Sequence, residues 1–220
     1  AFEALYDGKQ NAGLVAVGIL KESDRKIGEK EVNDFAFRIE IPGFLSVMTG
    51  GDRNTFVPGI FDLVQGNPSQ GIISVSDKIE RGKKARDLLT DYKTAKAGSD
   101  KQKADEISGM FRDKKFIDNY FRYFGYAFFG KPEDAVPNVK VSFYSFHLMV
   151  MLGFYFILVF ILALIFLYRG TLYKNRWFLW VALCSILLPY VAGEMGWVLA
   201  EMGRQPWIIQ DLMPVSAAVS

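Results

Sequence analysis

Residues 143–168, FYSFHLMVMLGFYFILVFILALIFLY, carry no formal charge and a single histidine. At about 1.5 Å per residue, a helix of that length spans roughly 30 Å of hydrocarbon with some tilt. A second apolar run follows from Trp177 to Glu201 after a short polar link. Such runs need a membrane or a large core, and the charge distribution decides between them. Residues 1–140 hold 22 Lys+Arg and 21 Asp+Glu, whereas the last 80 residues hold seven charges: Arg169, Lys174, Arg176, Glu194, Glu201, Arg204 and Asp211. The expected fold class is therefore an all-α membrane protein. It has two transmembrane helices, about 143–168 and 177–201, and a large extramembrane loop region, 1–140, with amphipathic helices.

The link GTLYKN, flanked by Arg169 and Arg176 and holding Lys174, contains no acid. Short basic loops stay in the cytoplasm, so 1–140 and the stretch beyond Arg204 are expected outside, on the periplasmic face of a bacterium. Pro189 is expected to kink the second span. Tyr168, Trp177 and Trp180 at one end, and Trp197 and Trp207 at the other, fit aromatic belts. The formal net charge of +2 and the lack of a long basic patch argue against a nucleic-acid partner. Cys184 is the one cysteine, so no internal disulfide can form. No signal peptide is read at the start, and both ends are expected to be cuts through a longer polypeptide.

Turn signals crowd the first seventy residues, and no long regular element is expected there. Helical spacing is read over 76–97 and 101–129, with AKAGSDKQKA as a flexible linker. The aromatic stripe FRDKKFIDNYFRYFGYAFF, 111–129, is most simply packing; contact with a quinone ring is the sharper alternative.

Two carboxylates close the second span. A carboxylate at depth costs several kcal/mol unless paired, protonated or bound to a metal. Glu194 lies 18 residues beyond Arg176, about 27 Å along a helix, and Glu201 about 37 Å; Met149, 20 residues before Arg169, is at about 30 Å. Met149, Glu194, Trp197 and Glu201 thus fall in one layer near the outer face, with His147 at its boundary. Taken singly, Met149 reads as packing, Trp197 as a belt residue and Glu201 as a partner of Arg204. Together, thioether, imidazole, carboxylates and indole suit a haem site between two antiparallel helices. Pro206 should end the helix near Arg204, whose guanidinium suits the terminal carbonyls or a haem propionate.

GWVLAEMGRQPW, 196–207, resembles the GWxxxExGRQPW signature of subunit I of cytochrome bd-type quinol oxidases. FYSFHLMVMLG, 143–153, resembles that family's (F/Y)xFRxMVxxG stretch. AFEALYDGKQ, 1–10, resembles its AxEAxxE segment, and FAFRIEIPGFLSVM, 35–48, its FAxxIP segment. The resemblance covers essentially the whole chain. It implies that Met149 is an axial ligand of a low-spin haem b and Glu201 of a high-spin haem b. Trp197 and Arg204 would support the second site, and Glu194 would belong to the haem pocket or a proton route. Glu3 would take part in quinol oxidation, accepting a proton.

His147 stands where the family stretch has Arg, so the potential of the low-spin haem would be tuned differently or depend on pH. The family's loop lysine would fall just upstream of Ala1. Its histidine ligands to the low-spin haem and to haem d belong to the N-terminal half, so this chain is expected to be a C-terminal portion, inactive alone. The implied partners are subunit II, the remainder of subunit I, ubiquinol or menaquinol and the lipid bilayer of the inner membrane. The complete subunit would reduce oxygen to water at haem d. A two-span sensor or a quinone-linked anchor of another complex are the competing readings.

Overall fold

The computed structural model describes residues 1–98 and 100–218. The chain is mostly helical, but it is not all-α. Strands β1 (Leu14–Ile27) and β2 (Lys30–Ile41) form a long antiparallel hairpin, in a region expected to hold no long regular element. Gly28 makes the tight turn between them at φ 59°, a left-handed conformation that glycine adopts without steric cost. The turn is docked by Glu133, whose carboxylate accepts the Glu29 N–H, and by Lys131, which pairs with Glu29.

The alternation that builds β2 was present in DFAFRIEI, where Phe35, Phe37, Ile39 and Ile41 recur every second residue. The charged centre of the hairpin, KESDRKIGEKE, hid it. A register shift falls at Ala36, since Ile19 pairs with Phe37 but Leu20 with Phe35. Leu20 and Phe35 therefore pack into the core while Ile19 and Phe37 stay exposed.

Helices α1 (Phe44–Gly50) and α2 (Ile60–Gln65) follow, then α3 (Val75–Ala97), α4 (Lys101–Arg112) and α5 (Lys114–Asn119). Ser74 caps α3 by accepting the Asp77 N–H at 3.0 Å. The segment expected as a linker is largely helical: Ala95–Ala97 ends α3 and Lys101–Ala104 opens α4, with Ser99 outside the described residues. The stripe 111–129 is not one helix but α4, α5 and a 3₁₀ segment, Phe121–Phe128. Its rings pack on each other, Phe111 against Tyr92, Phe116 and Phe121, and Phe124 against Phe128. Packing accounts for the stripe.

Two helices are long and apolar enough to cross a membrane. The first is α6 (Val139–Tyr168), capped by Asn138, which accepts the Val141 N–H. The second is broken as Pro189 requires. It runs as α7 (Arg176–Cys184), a 3₁₀ turn Ser185–Leu187, and α8 (Leu188–Arg204). Tyr155 on α6 bonds Ser185 Oγ at 2.6 Å at that break, a polar tie between neighbouring helices. α8 ends at Arg204 with Gln205 extended (φ −55°, ψ 145°), as a residue before proline should be.

Beyond it, β3 (Trp207–Ile209) pairs with β4 (Met213–Pro214), and α9 (Val215–Ala218) follows. Trp207 is not an interfacial belt residue. It is buried against Tyr126 and Phe129, with centroids 4.9 and 5.1 Å away, in a second core with Val75 and Ile79.

The main core joins the hairpin to the first turns of α6: Leu20, Ile27 and Val32 from the strands, Ile60 and Val64 from α2, and Val139 and Phe143 from α6. Phe143 is 0% exposed. Phe143→Ala should cost about 3–5 kcal/mol, seen as a lower midpoint of thermal unfolding; an unchanged midpoint would show that this junction carries no stability.

Candidate functional site

Glu3 lies where the start of the chain crosses the hairpin. Its Oε2 accepts the Val15 N–H at 2.8 Å, while Oε1 is buried with no hydrogen-bond partner among the described residues. Burial pushes the Glu3 carboxyl above the ordinary glutamate range, against the opposing pulls of the Val15 N–H and of His147. Glu3 lines a cavity of about 190 Å³ together with Tyr6, Asn33, Phe35, Arg38 and Glu40. An apolar cavity of roughly 150 Å³ suffices for benzene, so the space suits a single ring. Arg38 lies 5.4 Å from the centre of the Phe35 ring and 3.5 Å from Glu40, so the cavity wall combines an aromatic face with fixed charge.

Phe2, next to Glu3, wedges between both long helices. Its ring centre is 6.0 Å from that of Phe146 on α6, and a Cβ placed on Gly203 of α8 would lie 2.7 Å from its Cε1. Gly203 is therefore the gap that admits Phe2 two residues beyond Glu201.

His147 is buried, 6% exposed, with its ring 4.0 Å from that of Phe143 and edge-on to Phe146. Nδ1 lies 2.9 Å from the Phe143 carbonyl and Nε2 lies 2.8 Å from the Val15 carbonyl. Carbonyl oxygens only accept, so each contact is a hydrogen bond where that nitrogen carries the proton. The imidazole is held between its own helix and β1.

The four residues expected in one layer do not converge. Met149 on α6 faces the backbone of α8, its Sδ 3.2 Å from where a Cβ on Gly196 would sit. Gly196 and Gly203, seven residues apart, share one stripe of α8, the one turned toward α6 and Phe2. Glu194, Trp197 and Glu201 lie roughly 100–160° around the helix from Gly196, facing away from Met149. The expected single pocket between the helices is thus two separate places. Trp197 is 64% exposed. Glu194 is exposed and makes no ion pair among the described residues. Glu201 has Arg204 as its partner, with Nη2 3.2 Å from both carboxylate oxygens.

The family described as Cytochrome bd terminal oxidase subunit I matches residues 1–220. The chain belongs to that family. It is 28% identical over 199 residues to the Escherichia coli K12 cytochrome bd-II ubiquinol oxidase subunit 1, covering 87% of this chain and 37% of that protein. It is 37% identical over 87 residues to the Bacillus subtilis 168 cytochrome bd ubiquinol oxidase subunit 1, covering 40% of this chain and 19% of that protein. The chain thus spans well under half the length of these relatives.

The donor chemistry of this cytochrome bd subunit I chain fits haem. One thioether and one carboxylate stand apart, and each suits an iron whose other ligands come largely from a macrocycle. Among the described residues no group of three or more His, Cys, Asp and Glu is placed to hold an ion by itself. The exposed indole and guanidinium beside Glu201 suit a ring face and an anionic edge. Sequence reasoning missed Val15, Phe2, Gly196 and Gly203. The two glycines stand inside the signature string, where their spacing of seven was the available signal.

The raised Glu3 carboxyl has a consequence for stability. Between the ordinary glutamate value and the raised one, the folded chain holds a proton that the unfolded chain has lost. Stability is full below that window and falls as pH rises through it. Glu3→Gln should flatten this part of the profile of thermal midpoint against pH; an unaltered slope would assign it to other groups.

Proposed function

We propose that this chain is the quinol-oxidising and haem-ligating portion of subunit I of a terminal respiratory oxidase in the bacterial inner membrane. Residues 1–140 form the periplasmic quinol-binding region, and 141–220 the membrane region. The observation that carries the reading is the Glu3 carboxylate. One oxygen is anchored on the Val15 N–H, the other is buried with no hydrogen-bond partner among the described residues, and Glu3 lines a ring-sized cavity.

A quinol hydroxyl within hydrogen-bond reach of Oε1 would give that oxygen its missing partner and hand it a proton as the ring is oxidised. Desolvation raises the proton affinity of the carboxylate, which suits a base that must hold a proton briefly and release it outward. Both relatives carry ubiquinol oxidase in their names, which supports quinol as the donor; ubiquinol and menaquinol share the chemistry invoked.

Met149 would hold the low-spin haem b and Glu201 the high-spin haem b, with Trp197 against the second ring and Arg204 neutralising its acidic edge. When bound, these haems supply one-electron transfer, delivering the electrons of quinol to haem d in the complete subunit, where oxygen is reduced to water. The separation of Met149 from Glu201 around α8 supports two haems rather than one. Glu194, without an ion pair among the described residues and on the Glu201 stripe, belongs to the same face as a pocket or proton-route residue. The exposed faces of α6 and α8 would be covered by lipid, the remainder of subunit I and subunit II.

In the complete oxidase, Glu3→Gln should lower quinol oxidation about 10²–10⁴-fold with haem content retained; a wild-type rate would sink the assignment. Glu201→Ala should remove the high-spin haem bands from the visible spectrum and leave the low-spin bands. Retention of both sets would exclude Glu201 as a ligand.

A further inference from the structure

The N–H and C=O of one residue in an extended strand point to the same side, as they do where paired strands exchange both bonds. At Val15 that side meets two side chains in place of a strand. The N–H donates to Glu3 Oε2 at 2.8 Å, and the carbonyl receives His147 Nε2 at 2.8 Å. A register shift in β1 between Val15 and Val17 marks this point; such irregularities re-aim backbone groups at the margins of a sheet.

The rest of the ring is restrained too. Nδ1 lies 2.9 Å from the Phe143 carbonyl one turn back, the Phe143 ring packs against the imidazole face, and Phe146 meets it edge-on. Orientation of the imidazole is thereby set by α6, and Val15 is held at a defined height on that helix. Tyr144, on the same turns of α6, makes a second strap: its hydroxyl oxygen accepts the Leu20 N–H at 3.0 Å.

We infer that His147 is a positioning residue for quinol oxidation: through Val15 it fixes the Glu3 carboxylate at the cavity, on the same helix that carries Met149 two residues further on. The inference rests on the assignment of Glu3 above. It gives His147 a task distinct from tuning a haem. The bond that matters runs to the strand of the quinol region, and a donor at the Nε2 position is what the Val15 carbonyl needs. A glutamine amide reaches about as far as Nε2, whereas the shorter asparagine amide reaches only the helix carbonyl. Phenylalanine fills the space with no donor at all.

The test uses the complete oxidase with His147→Gln, His147→Asn and His147→Phe. It compares steady-state quinol kinetics with haem content and the visible spectrum after chemical reduction. His147→Asn and His147→Phe should raise the quinol KM and lower kcat/KM roughly 10–100-fold, the scale expected when a reacting group is displaced by about 1 Å. Haem content and spectra should stay unchanged, and His147→Gln should recover most of the loss.

In a Glu3→Gln background, His147→Phe should add little, because the group it positions is already gone. Equal kinetics for the Gln and Asn variants would overturn the inference, as would fully additive losses in the double variant. A low-spin haem band lost in all three variants would return His147 to the haem site. If His147→Phe does not assemble, the contrast between Gln and Asn decides alone. Failure of Glu3→Gln to slow the parent enzyme would instead count against the Glu3 assignment itself.

Discussion

The hairpin of the polar part is registered on the first turns of α6 through a short seam. Phe143 fills the core from below while His147 and Tyr144 bond the free backbone of β1 at Val15 and Leu20. Close packing forbids sliding, and the hydrogen bonds fix height and rotation. Everything the hairpin carries, including the Glu3 carboxylate, inherits its place from this seam. A helix that also bears Met149 cannot shift without moving the cavity.

The second constraint is the absence of two side chains. Gly196 lets Met149 approach the backbone of α8, and Gly203 admits Phe2. These positions define the inward stripe of α8, so the acids must occupy the outward one. The geometry that separates Met149 from Glu201 is thus set by where α8 lacks bulk rather than by where it carries charge. Trp207, just past the helix end, then anchors the chain in the aromatic core with Tyr126, whose hydroxyl donates to Asp211 at 2.9 Å.

Much of this was legible beforehand. The apolar runs, the break at Pro189, the end of α8 at Arg204 and the family signature are local features, each readable in a window of one or two helical turns. The hairpin escapes a local reading because a charge-rich centre masks a period of two, and because strand pairing is a non-local event. Residue spacing puts Met149 and Glu201 near one end of their helices, but depth is a one-dimensional quantity. It carries no information about rotation around the helix axis.

The sequence by itself determined two helices long and apolar enough to cross a membrane, the charge asymmetry between the polar and apolar parts, and membership of the cytochrome bd subunit I family, since composition, spacing and motif are properties of the chain alone. Only the tertiary structure decided that Glu3 and His147 meet at Val15, across separations of 12 and 132 residues. Such contacts depend on which strand edge is left unpaired and on which helix face packs against it. Those are outcomes of packing the whole molecule, and no local pattern of residues encodes them.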